Sequence, residues 1–195
     1  MKLHHIALAA IAAVTFATQA QAAVFNGAST AAGNVVTDFT LGSALSFDLD
    51  LVSKAPVTLN FTLESADFSG DAMTFGALVR NLSGLGFDNV NITLSGITFA
   101  APAGTITTDG FSAVTGTGHS ATQAWATFAP GVSSEFYIGS PLAKLGELNW
   151  TLNLDDLQAG QQFSVTVAVP EPGTYGLAVA GLAALGFAAR RRKAG

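Results

Sequence analysis

Polar and apolar residues alternate with a period of two through most of the chain between Ala23 and Val169. The segment SFDLDLV (46–52) sets Phe47, Leu49 and Leu51 on one side and Asp48 and Asp50 on the other. VTLNFTLE (57–64) alternates Val57, Leu59, Phe61 and Leu63 against Thr58, Asn60, Thr62 and Glu64. NVNITLS, LNWTLNL and FSVTV repeat the pattern. Their predicted inward residues are Val90, Ile92 and Leu94, then Leu148, Trp150, Leu152 and Leu154, then Phe163, Val165 and Val167. Such alternation marks strands with one buried face. Turn-forming residues separate them at Lys54-Ala55-Pro56, Ser69-Gly70-Asp71, Ala101-Pro102-Ala103-Gly104, Pro130-Gly131 and Ala159-Gly160. No stretch of this body carries a helical period; Pro141–Leu145 has room for one turn. The pattern predicts about nine or ten strands, an all-β fold and a β-sandwich of immunoglobulin-like or jelly-roll-like layout.

The two ends break the alternation. Lys2, His4 and His5 precede an eleven-residue, largely apolar stretch from Ile6 to Phe16, and Ala20-Gln21-Ala22 supplies the small side chains that signal peptidase accepts. Eleven residues are too few to span a bilayer. Residues 1–22 therefore read as a signal peptide, with Ala20 and Ala22 at the cleavage site and the Sec machinery and signal peptidase as partners. At the other end, 173–189 carries no charge and Arg190, Arg191, Arg192 and Lys193 follow at once. At 1.5 Å per residue this run reaches roughly 25 Å, the low end of a membrane span. A basic cluster remains on the cytoplasmic side, so the body would lie outside. The signal peptide demands the same orientation.

Pro170-Glu171-Pro172, a short apolar helix and then Arg190-Arg191-Arg192-Lys193 together resemble the PEP-CTERM sorting signal of Gram-negative bacteria. The resemblance covers 170–195. It implies recognition by exosortase, a membrane-embedded transpeptidase-like enzyme that cuts at or near the tripeptide, and a path from an inner-membrane intermediate to the cell surface or extracellular matrix. The prolines give the tripeptide a physical character of its own: each fixes its own φ and disfavours helix in the residue before it, so the site stays extended. In length and layout the body 23–169 is similar to the FxDxF group of these proteins. Phe47-Asp48-Leu49-Asp50-Leu51 departs from that group's motif at its third and last positions. LQAGQQFSV (157–165) likewise resembles the tyrosine corner of immunoglobulin-like domains, with Phe163 in the tyrosine's place and no hydroxyl to bond the backbone.

Charge narrows the functional classes. Only 11% of the residues are charged, against about 25% in an average globular protein. Between the two ends three bases (Lys54, Arg80, Lys144) face twelve acids. A body so acidic repels phosphate backbones, which argues against nucleic-acid binding. The chain has no cysteine, so disulfides and thiolate metal sites are excluded.

Candidate chemistry is sparse. His119, the only histidine beyond the signal peptide, lies beside Ser120 in TGTGHSAT, without the G-x-S-x-G elbow that holds a serine for attack. Gly116-x-Gly118-x-x-Ala121 matches a dinucleotide fingerprint in letters but lacks a following helix. Asp48 with Asp50, and Asp67 with Asp71, are oxygen-rich candidates for a weak Ca²⁺ site of the kind extracellular modules use. No other cofactor or metal is expected. Threonine- and asparagine-rich faces with Trp125 or Tyr137 exposed suit a glycan. The sequence thus predicts no enzyme but an exported, exosortase-sorted protein with a structural or adhesive role in biofilm, exopolysaccharide being a candidate partner. The alternative is a secreted carbohydrate-binding module or hydrolase accessory.

Overall fold

A computed structural model describes residues 23–84, 86–109, 113–129 and 135–169. The alternation becomes two sheets. Six antiparallel strands form the first, in the order β1 (Val24–Ser29), β4 (Val57–Thr62), β13 (Gln162–Ala168), β6 (Asn89–Ser95), β10 (Gln123–Phe128) and β9 (Val114–His119). The second runs β2 (Val35–Asp38), β3 (Ala44–Leu51), β5 (Thr74–Asn81), β11 (Glu135–Ile138) and β8 (Ile106–Thr108). The short β12 (Trp150–Asn153) pairs with the start of β5, and β7 (Thr98–Phe99) pairs with β12.

The inward faces of both sheets share one hydrophobic core. Phe47 of β3 is fully buried and meets Phe25 and Phe61 of the opposite sheet at ring-centroid distances of 5.0 and 5.7 Å. Farther along, Phe136 of β11 packs on Phe128 of β10 at 5.4 Å and on Phe87 at 5.8 Å. Each such aromatic pair contributes about 0.5–1.5 kcal/mol beyond the area it buries. Phe163 stacks on Phe61 at 4.8 Å, so it keeps the packing role of the corner it resembles without the hydroxyl bond.

The all-β expectation holds, with several corrections. Thirteen strands occur among the described residues, because bridges of two to four residues are too short to show a period. β3 and β5 pair in parallel over eight residues. The chain can do this because β4 crosses to the other sheet before β5 returns, which gives the long connection that parallel strands need. Leu148 was expected to point inward, yet it is 51% exposed, since β12 begins only at Trp150. Leu154 is half-buried beyond the strand's end, whereas Trp150 and Leu152 are buried as expected. Residues 141–146 form two separate turns rather than one helical turn. A 3-10 helix at Ser65–Phe68 was not anticipated; four residues are too few for a periodic signal. Among the described residues no helix is long and apolar enough to cross a membrane, and 173–189 lies outside them.

Candidate functional site

Ala20, Ala22, Pro170, Glu171, Pro172, Arg190, Arg191, Arg192 and Lys193 all lie outside the described residues. The last described residue, Val169, is 1% exposed and belongs to the core. In the sequence Pro170 therefore follows directly on a core residue of the folded body.

The candidate calcium ligands do not come together. Asp48 and Asp50 leave β3 on the same side, and the parallel register sets Asp50 beside Arg80 of β5. Arg80 forms ion pairs with both, to Asp48 through Nη2 and to Asp50 through Nε at 3.0 Å. All three side chains are partly solvated, so the pairs contribute on the order of 1 kcal/mol or less. Asp67 is buried and Asp71 exposed. Among the described residues no three acidic or histidine side chains gather closely enough to hold a metal. With Arg80 already paired with both β3 aspartates, neither chelator nor millimolar Ca²⁺ is expected to move the melting temperature of the body. A calcium-dependent rise of several degrees that Asp48→Asn abolishes would overturn this assignment.

His119 ends the edge strand β9 and faces a cleft between that edge and β8. The cleft, of about 320 Å³, is bounded by Thr105, Thr107, Thr117 and His119, with Trp150 as its apolar wall. The His119 ring meets the Trp150 ring edge-on at 6.0 Å, and the indole N–H donates to the Thr105 carbonyl at 3.1 Å. Ser120 Oγ accepts the Gln123 N–H at 3.1 Å and so braces the β9–β10 turn. That is the geometry of a turn, not of an activated nucleophile. Tyr137 is not the exposed aromatic it was expected to be. It is buried, its hydroxyl donates to Glu135, and Lys144 Nζ sits 3.9 Å from its ring centroid. The Glu135 hydrogen bond, with burial second, pushes the phenol up to about 12.

A different feature emerges on the outer face of the six-stranded sheet. None of its strands contains Asp, Glu, Lys or Arg. Every strand-borne charge (Asp38, Asp48, Asp50, Arg80, Glu135) belongs to the other sheet. The register brings hydroxyls and amides side by side: Asn60 beside Ser164, Ser164 beside Ser95, Thr166 beside Thr93, and Thr93 beside Gln123. Thr58 and Thr166 are hydrogen-bonded across β4 and β13 at 2.9 Å. At one end a shallow depression of about 200 Å³ is lined by Asn26, Asn60, Ser95, Gln162 and Ser164.

Near the opposite edge stands Trp125, 41% exposed and paired with Asn91 on one side and Gly118 on the other. A Cβ placed on Gly118 would lie 2.6–2.7 Å from Cζ2, Cε2 and Nε1 of the indole. Near-equal distances to three bonded neighbours put that point over the ring face, so the indole lies flat on the glycine. Only glycine allows this approach. One face of the ring is thus spent on the backbone and the other is presented to solvent. The formal dinucleotide fingerprint is in fact this edge strand, and its glycines accommodate a tryptophan. Sequence alone offered Trp125 as an exposed aromatic but could not pair it with Gly118, 7 positions away across a turn.

The model of the PEP-CTERM protein-sorting motif matches residues 168–193. Residues 168–193 thus carry a PEP-CTERM protein-sorting motif, which implies exosortase as the processing partner. No curated protein and no solved structure matches it.

Proposed function

We propose that the exported body is a β-sandwich with a structural or adhesive role in an extracellular polysaccharide matrix, and that it holds neutral polysaccharide against the outer face of its six-stranded sheet. The observation that carries this reading is the charge-free face with Trp125 laid flat on Gly118. A flat, rigid indole offers an apolar surface to the C–H face of a sugar ring. Its order is already imposed by the backbone beneath, so little entropy is lost on binding. The surrounding Asn91, Thr93 and Gln123 side chains are donors and acceptors without charge, matching the hydroxyls of an uncharged glycan. The remaining acids are carried elsewhere, which keeps the protein soluble without opposing the ligand.

Export follows the same logic. The signal peptide directs the chain across the inner membrane, and the helix 173–189 with its basic cluster holds it there as an intermediate until exosortase cuts near Pro170-Glu171-Pro172. The orientation rests on the charge asymmetry about the apolar run.

Retardation in gels containing a neutral β-glucan tests the binding face, with an anionic polysaccharide for comparison. The neutral polymer is expected to slow the exported protein, with little dependence on salt because no surface charge takes part. Trp125→Ala is expected to weaken binding by about 2 kcal/mol, roughly thirtyfold. Equal retardation of wild type and Trp125→Ala, or binding that salt abolishes, would sink the proposal.

A further inference from the structure

Ala23, the residue that signal-peptide cleavage after Ala22 would make the new N-terminus, is 2% exposed and part of the core just ahead of β1. Its main chain hydrogen-bonds the carboxylate of Asp67. Asp67 is the only buried charged or polar residue among those described, at 8% exposure. It occupies the third position of the 3-10 helix Ser65–Phe68, where its Oδ2 accepts the Glu64 N–H at 2.7 Å. Its other oxygen, Oδ1, is sealed from solvent and has no hydrogen-bond partner. A buried carboxylate with an idle oxygen is an expensive arrangement. Burial pushes the Asp67 carboxyl up, and the nearby Glu64 charge adds to this. The N–H bonds from Glu64 and Ala23 offset only part of it.

We propose that Asp67 is the receptor for the mature N-terminus: removal of the signal peptide turns the Ala23 amide into an ammonium that pairs with this carboxylate. The same nitrogen that carries one N–H in the precursor would carry three and a positive charge after hydrolysis of the Ala22–Ala23 bond. Water supplies the atoms of that step: its hydroxyl completes the Ala22 carboxyl and its proton goes to the new amine, which becomes an ammonium by taking the proton that the carboxyl releases on ionising. The ammonium satisfies Oδ1, opposes the burial that raises the carboxyl, and fastens the edge strand β1 to the 3-10 helix. Full stability is thus reached only outside the cytoplasmic membrane, after processing.

The pH response separates the two forms. In the precursor the folded state raises the Asp67 pKa, so its contribution favours folding in acid and is lost as pH rises through that value. In the processed protein the α-amino group gains a partner and its pKa rises above the usual ~7.7–8.0. That stabilisation is complete below the unfolded value and is lost as pH climbs through the raised one. Asp67 and Glu64 are the titratable side chains facing the pair among the described residues.

The test uses the protein as exported and processed in cells, its N-terminus fixed by mass spectrometry. It is compared with a variant carrying Ser-Gly between Ala22 and Ala23, which keeps the Ala23 N–H but moves the ammonium off Asp67. Wild type is expected to melt higher by roughly 5 °C at pH 7. The difference should vanish above about pH 10, and in an Asp67→Asn background. Equal melting of the two forms across this pH range would overturn the proposal even if Asp67→Asn fails to fold. So would a difference that survives in Asp67→Asn, or a mature N-terminus other than Ala23.

Discussion

Replacing Pro170, Glu171 and Pro172 by alanine is expected to leave the protein in the inner membrane at full tail length, uncut. Alanine is the best helix former, and without the two prolines nothing bars helix through the tripeptide. A helical peptide bond is tied into its own hydrogen-bond ladder and is poorly presented to a protease. Neutralising Arg190, Arg191, Arg192 and Lys193 should fail in another way. On the proposed orientation these charges hold the tail from crossing, so the protein should lose its position rather than its cleavage motif. Membrane fractionation with intact-mass measurement in an exosortase-positive host distinguishes the two. Release of the alanine variant with the wild-type mature mass would remove the sorting tripeptide from the mechanism.

Truncating Trp150 to alanine is expected to cost about 3–5 kcal/mol, a large share of the roughly 5–15 kcal/mol that stabilises a typical domain. The indole is 3% exposed, contacts the Phe99 ring at 4.8 Å, and satisfies the Thr105 carbonyl through its N–H. Its loss opens a cavity and leaves that carbonyl without this donor. Thermal or urea unfolding of the exported protein measures the cost; a change below about 1 kcal/mol would mean that the site collapses freely or that the ring is not in the core. The two tryptophans also predict a divided fluorescence response. Iodide should quench Trp125, and the emission that remains in Trp125→Phe should be shielded.

Strand faces were legible in the sequence along most of the alternating runs. Phe47, Leu49, Leu51, Val57, Leu59, Phe61, Ile92, Val165 and Val167 are all buried. Alternation failed at Leu148, because period two assumes a strand that β12 does not reach. It also missed the bridges at β7 and β8 and the 3-10 helix, each too short to carry a period. The candidate site was half legible. Trp125 was one of two candidate exposed aromatics, and its glycine bed came from the β9–β10 register. The β3 aspartates could be placed on one face, yet Arg80 reached them only through parallel pairing with β5.

By itself the sequence determined the sorting motif, since such a motif is read by an enzyme as a short linear pattern of charge and proline placement. It also determined the all-β class, because burying one face of a strand imposes its period locally. What only the tertiary structure decided is who neighbours whom. Period two says which side a residue faces and nothing about which strand lies beside it. The gathering of every strand-borne charge onto one sheet, the flat seat of Trp125 on Gly118, and the meeting of Ala23 with Asp67 are all long-range pairings. They are set by the free energy of closing one core between two sheets, a quantity that belongs to the whole chain and to no segment of it.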